Sequence, residues 1–145
     1  MRTIRVRAVI PHDGKFLFVQ HNHDDSYWAL PGGKLEDGES LQQGLSRELV
    51  EELGIKPRIG TLLYVQQLRI HGHESLEFFF EILNGADYTN IQLDKTSHGT
   101  VELARATFIE PATKPVRPLF LKELEADMAA AAWPKIFDYL NQVAS

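Results

Sequence analysis

Three glutamates crowded into about one turn of a helix constrain this chain more than any other feature of it. In "GKLEDGESLQQGLSRELVEELGI", residues 33–55, six acidic side chains stand against two basic ones, Lys34 and Arg47. The second half predicts a helix from about Ser40, a suitable N-cap, to Leu53, with Gly54 as its stop. At about 100° per residue, Leu41, Leu45, Leu49 and Leu53 sweep roughly 120° of surface, and Glu48, Glu51 and Glu52 an adjoining arc of roughly 100°. A solvated acidic face would lie opposite the leucines; here Glu52 projects within the edge of the leucine stripe. Like charges three or four residues apart cost a few tenths of a kcal/mol, and more once desolvated. The arrangement becomes reasonable when a hard divalent cation sits among the carboxylates. Mg²⁺, with Mn²⁺ as the alternative, takes oxygen ligands and shares them with substrate phosphates. Gly44 falls on the same face and reads as space left for ions or substrate.

The rest of the chain sets the context for that turn. Its 145 residues suit one domain spanning 1–145 with a sizeable core, and 43% hydrophobic and 24% charged residues are ordinary for a globular protein. A formal charge of -5 argues against a general nucleic-acid binder, and no stable nucleic-acid complex is expected. With no cysteine, disulfides, thiolate metal sites and cysteine nucleophiles are excluded. The N-terminus "MRTIRVRAVI" does not read as a signal peptide, and no run is long enough to span a membrane, so a cytosolic location is the expectation.

Residues 3–10 and 15–20 read as strands joined by a hairpin at Asp13-Gly14. Residues 21–33, ending in Pro31, Gly32 and Gly33, read as loop. Residues 61–68 and 75–83 predict a second hairpin through "HGHE", and residues 102–109 a further strand after a polar loop at 93–100. Phe78, Phe79 and Phe80 suggest a strand buried on both faces rather than a ligand pocket. A helix is expected over 119–132, with Pro134 breaking it or starting a last short one. The pairs His21/His23 and His71/His73 read as polar loops rather than a zinc site. Asp94, Lys95 and Arg117 read as solvent-facing loop charges with substrate contact as the alternative.

The acidic stretch resembles the Nudix box: Gly33, Glu39, Arg47, Glu48, Leu49, Glu51, Glu52, Gly54 and Ile55 occupy every fixed or aliphatic position of that motif. "WALPGG" ahead of it also looks like this family. The resemblance implies an α/β fold, an α/β/α sandwich with a mixed β-sheet, and hydrolysis of a nucleoside diphosphate linked to a further group. By the family pattern Glu48, Glu51, Glu52 and the carbonyl of Gly32 are metal ligands, and Glu48 is also a candidate base for the attacking water. Arg47 orients a box glutamate, with phosphate contact as the alternative. Glu39 is expected to hold the loop. A further glutamate often comes from a later loop; Glu102 sits where such a residue falls, with Glu77 and Glu81 as rivals. Tyr27 and Trp28 are candidates to stack on a base, burial in the core being the alternative for Trp28.

The isomerases of this fold rely on a cysteine that this chain lacks. A non-catalytic nucleotide sensor would be expected to have lost box glutamates, and all are present. The segment following the box, "IHGHE", carries neither the proline of the ADP-ribose group nor the tyrosine of the dinucleoside polyphosphate group. By elimination the expected substrate is a small-molecule nucleoside triphosphate, ordinary or oxidised, cleaved to monophosphate and pyrophosphate, with ADP-ribose or another nucleotide sugar as the alternative. A homodimer is one expected state, since many relatives are dimers.

Overall fold

The structure is a computed structural model that describes residues 2–140. Nine strands and three α-helices follow one another in these residues. The strands are β1 (Arg2–Val9), β2 (Pro11–His12), β3 (Lys15–His21), β4 (Asp24–Ala29), β5 (Gly32–Lys34), β6 (Ile59–Ile70), β7 (His73–Ile82), β8 (Leu103–Ile109) and β9 (Lys135–Tyr139). The helices are α1 (Leu41–Leu53), α2 (Gly99–Glu102) and α3 (Leu124–Ala130).

A mixed five-stranded sheet runs β5-β1-β7-β6-β9, with β1/β7 and β6/β9 parallel and the remaining pairs antiparallel. A second sheet is built on β3, which pairs with β2, β4 and β8. The leucine stripe of α1 explains its place. Leu45, Leu49 and Leu53, all at most 2% exposed, pack with Val6, Ala8 and Ile10 of the β1 segment, Leu17 and Val19 of β3, and Phe80 and Ile82 of β7. Burying each such leucine is worth about 1.5–3 kcal/mol. The opposite side of the main sheet carries a second core in which Tyr64 and Phe79 meet Leu121 and Leu124 from the C-terminal segment. Helix, mixed sheet and C-terminal helix thus form the three layers of an α/β/α sandwich. Phe79 and Phe80 enter different cores, so β7 is buried on both faces as the triple phenylalanine predicts.

The caps of α1 act as read. Ser40 Oγ accepts from Gln43 N–H while the Gln43 side chain accepts from Ser40 N–H, and Gly54 closes the helix at φ 80°. Asp13-Gly14 does form a turn, with φ 50° and 76°, but it joins β3 to the two-residue β2 rather than to β1. β1 lies in the other sheet, between β5 and β7, and the chain crosses between sheets after Val9. His71-Gly72 makes the turn of the β6–β7 hairpin.

Two stretches differ from expectation. Residues 21–33, read as loop, contain β4 and β5. β4 has a polar sequence and pairs with β3 only through a bulged register, and β5 uses a glycine where most strands would not. That glycine is required: a Cβ at Gly32, φ 141°, would fall 2.0 Å from the carbonyl oxygen of Val6. The helix expected over 119–132 is a 3-10 turn, Leu119–Glu123, followed by α3, and β9 stands where a break or a last helix was expected. β9 is fixed by tertiary contacts: its pairing with β6, and Phe137 stacked on Phe120 at 4.2 Å.

Candidate active site

Helix α1 presents its carboxylates to the loop that precedes it, because β5 crosses antiparallel to β1 and brings Gly32 and Gly33 back over the helix. Glu52 is only 2% exposed, and among the described residues no ion pair reaches it. Its Oε1 accepts a hydrogen bond from Gly32 N–H at 3.3 Å. Burial, and next the charge of Glu48, push its carboxyl up to about 8. Burial also raises the Glu48 carboxyl, an effect opposed by Arg47 and reinforced by Glu51 and Glu102. Gly33 leaves room for Glu48: a Cβ there would lie 2.5 Å from the Glu48 carboxyl carbon.

Arg47 ties the acidic groups together. Its Nε and Nη2 donate to the two oxygens of Glu39 at 2.6 and 3.0 Å, and its Nη1 to Glu48 at 3.1 Å and Glu51 at 3.3 Å. Nη2 also reaches the Lys34 carbonyl at 3.2 Å, which fastens the helix to the end of β5. The Glu39 contact dominates in raising the guanidinium's proton affinity. Glu39 itself accepts from Glu36 N–H at 2.9 Å, the loop-holding contact expected of it. Gly44 does not face ions or substrate. A Cβ on it would meet Leu35 at 2.4 Å and Glu39 at 3.2 Å, so the missing side chain serves loop packing.

Glu102 ends α2, exposed, and its charge helps raise both Glu48 and Glu52. Its rival Glu77 is occupied elsewhere, accepting from Arg7 at 3.1 Å and Gln66 at 3.2 Å. His98, a residue without a recognisable sequence signal, places Nδ1 3.0 Å from Glu51 Oε2.

A pocket of about 280 Å³ opens on the same side of the main sheet as Arg7, which pairs with Gly32 across the β1–β5 ladder and whose charge acts on Glu52. Its lining includes Arg7, His21, Tyr27, Gln66, Glu77 and Arg117. The Arg117 guanidinium lies 4.4 Å from the centre of the Tyr27 ring. The two aromatic candidates part company here. Tyr27 lines the pocket, whereas Trp28 packs against the second core, with its backbone bridged to Val116. Phe79 also reaches the pocket wall, contrary to its reading as core alone. Arg7, Gln66 and His21 were not legible as site residues.

The donor set fits a divalent cation in kind: carboxylate oxygens within a turn of helix, one of them desolvated and unpaired with any cation, beside glycine backbone. Among the described residues, no three His, Asp or Glu groups are already gathered closely enough to hold one ion, because Arg47 holds Glu48 and Glu51. Ligation would therefore compete with Arg47 for those two carboxylates.

A family model described as the NUDIX domain matches residues 1–124. The CTP pyrophosphohydrolase of Escherichia coli (strain K12) is 40% identical over 70 residues, 46% of this chain and 52% of that protein. The 8-oxo-dGTP diphosphatase of Proteus vulgaris is 52% identical over 42 residues, 29% of this chain and 38% of that protein. The matched region is thus about half of those relatives' length or less. The solution structure of the E. coli ORF135 protein superposes with a TM-score of 0.70 at 28% identity, covering 90% of this chain and 91% of that one.

Proposed function

We infer that this chain, which belongs to the Nudix family, hydrolyses a nucleoside triphosphate to monophosphate and pyrophosphate with the help of a divalent cation, Mg²⁺ or Mn²⁺. The observation that carries the reading is the buried, cation-free carboxylate of Glu52 beside Glu48 and Glu51, within the electrostatic reach of Arg7, which lines a pocket of about 280 Å³. Relatives named for CTP and 8-oxo-dGTP support a triphosphate.

In this reading Glu48, Glu51, Glu52 and the Gly32 carbonyl hold the cation, which when bound neutralises phosphate oxygens and acidifies a water. The chain's own groups do the rest. Arg47 keeps the carboxylates from repelling one another and anchors them to the loop. Glu48 accepts the proton of the attacking water, with Glu102 as the second candidate. Arg7 offers a positive charge between the carboxylates and the pocket, where a phosphate chain would run. Tyr27 stacks on the base; Trp28 supports the strand that carries it. The chain acts on a small-molecule nucleotide, and no helix among the described residues is long and apolar enough to cross a membrane.

The test is turnover of nucleoside triphosphates, 8-oxo-dGTP and ADP-ribose with Mg²⁺, comparing wild type with Glu52→Gln. Triphosphate turnover should fall by about 10²–10⁴ in the variant. Turnover confined to ADP-ribose would overturn the substrate, and equal, negligible turnover by both proteins would overturn the enzyme.

A further inference from the structure

We propose that the pocket reads the nucleobase through Gln66 and selects a base carrying an exocyclic amine, cytosine or adenine, over its oxo counterpart. This deepens the reading above and rests on the pocket being the base site.

Gln66 is 2% exposed and lines the pocket, yet its Oε1 has no hydrogen-bond partner among the described residues. Its orientation is dictated by Glu77. The Glu77 carboxylate receives Arg7 Nε on Oε2 at 3.1 Å and Gln66 Nε2 on Oε1 at 3.2 Å. An ionised carboxylate only accepts, so the amide must turn its NH₂ towards Glu77. That leaves the amide oxygen on the other side, and Arg7 holds Glu77 in place. Buried acceptors are rarely left unmade, and a ligand donor that reaches past the pocket wall would give this one its partner.

Position says which donor. The main sheet orders its strands β5-β1-β7-β6, so Gln66 on β6 stands three strands from Gly32 on β5. At strand spacing that is roughly 14 Å. A nucleotide with its phosphates at the carboxylates would spend the intervening distance on its sugar and present its base edge at Gln66. Stacking on Tyr27 holds any base, because every base has a π face. The acceptor discriminates. The amine of cytosine or adenine donates to it, whereas the carbonyl of uracil or hypoxanthine sets oxygen against oxygen and leaves both unpaired.

The test uses monophosphates, which need no turnover. Binding of CMP, UMP, AMP and IMP to the full chain with Mg²⁺ is measured by calorimetry, alongside kcat/KM for CTP and UTP. CMP should bind about tenfold or more tighter than UMP, AMP should exceed IMP similarly, and CTP should be preferred as substrate. Gln66→Leu should bring each ratio to within about twofold by weakening the amino ligands alone. Equal affinities in wild type, unchanged ratios in a folded Gln66→Leu protein, or no binding of any of the four at millimolar concentration would overturn the proposal. The wild-type ratios decide even if the variant does not fold. Selective binding without hydrolysis would sink the hydrolase reading and leave this one standing; hydrolysis of CTP and UTP at equal efficiency would do the reverse.

Discussion

Glu52 concentrates the cost of the site in one residue. Its carboxyl has an ordinary value of 4.5 and is pushed up to about 8 in the folded, metal-free protein. Between those values the folded chain binds a proton that the unfolded chain has released, so stability falls as pH rises through the interval and levels off above 8. Glu52→Gln keeps the shape and the contact to Gly32 N–H but removes the charge. In chelator, the variant should match wild type near pH 4.5 and exceed it by on the order of 1–3 kcal/mol above pH 8, read from urea midpoints at each pH. Parallel profiles for the two proteins would show that Glu52 is not the strained group. The sequence carries this residue's identity clearly, because three carboxylates on adjoining faces of one helix are a local pattern. It carries Arg7, Gln66 and Glu77 poorly. They sit on three different strands, and only the β1/β7 and β6/β7 pairings bring positions 7, 66 and 77 to one patch.

At the scale of elements, α1 and the β5 loop form one device. The helix is fixed by its own signals, the Ser40 capping box and the left-handed Gly54, which is why its limits were readable from the sequence. The loop is fixed by what crosses it. Gly33 illustrates the division, since its backbone would tolerate a side chain but the space is filled by Glu48. Gly33→Ala should therefore displace a flexible carboxylate, costing less than about 1 kcal/mol of stability but about 10–100-fold in turnover. Denaturant midpoints and kinetics on one preparation check this. Loss of both together would mean the loop, not Glu48, had moved. β5 and β9 escaped the sequence reading because pairing or aromatic contacts to distant residues hold them, and β4 because its polar stretch pairs with the adjacent β3 only through a bulge and is tied down by Trp28 backbone bonds to Pro115 and Arg117.

Across the whole molecule, the layer opposite α1 is pinned by a buried polar contact remote from the carboxylates. Tyr64 on β6 donates its hydroxyl to Asp127 of α3 at 2.6 Å, and Lys135 of β9 donates to the other Asp127 oxygen at 2.8 Å. Burial, then Asp127, raises the tyrosine's proton affinity, so it remains a donor. Asp127→Ala would leave a fully buried hydroxyl unpaired and should cost roughly 2–3 kcal/mol with turnover preserved, since Tyr64, Asp127 and Lys135 are not among the residues that line the pocket. A loss of turnover at full stability would contradict that separation. In the proposed reading the acid cluster on α1 holds a dication. The most direct measurement is Mn²⁺ titration of isotopically labelled protein, following the paramagnetic broadening of backbone amide signals. Broadening should centre on residues 31–34 and 47–53 and be abolished by Glu52→Gln. Broadening centred elsewhere, or unchanged in the variant, would contradict it.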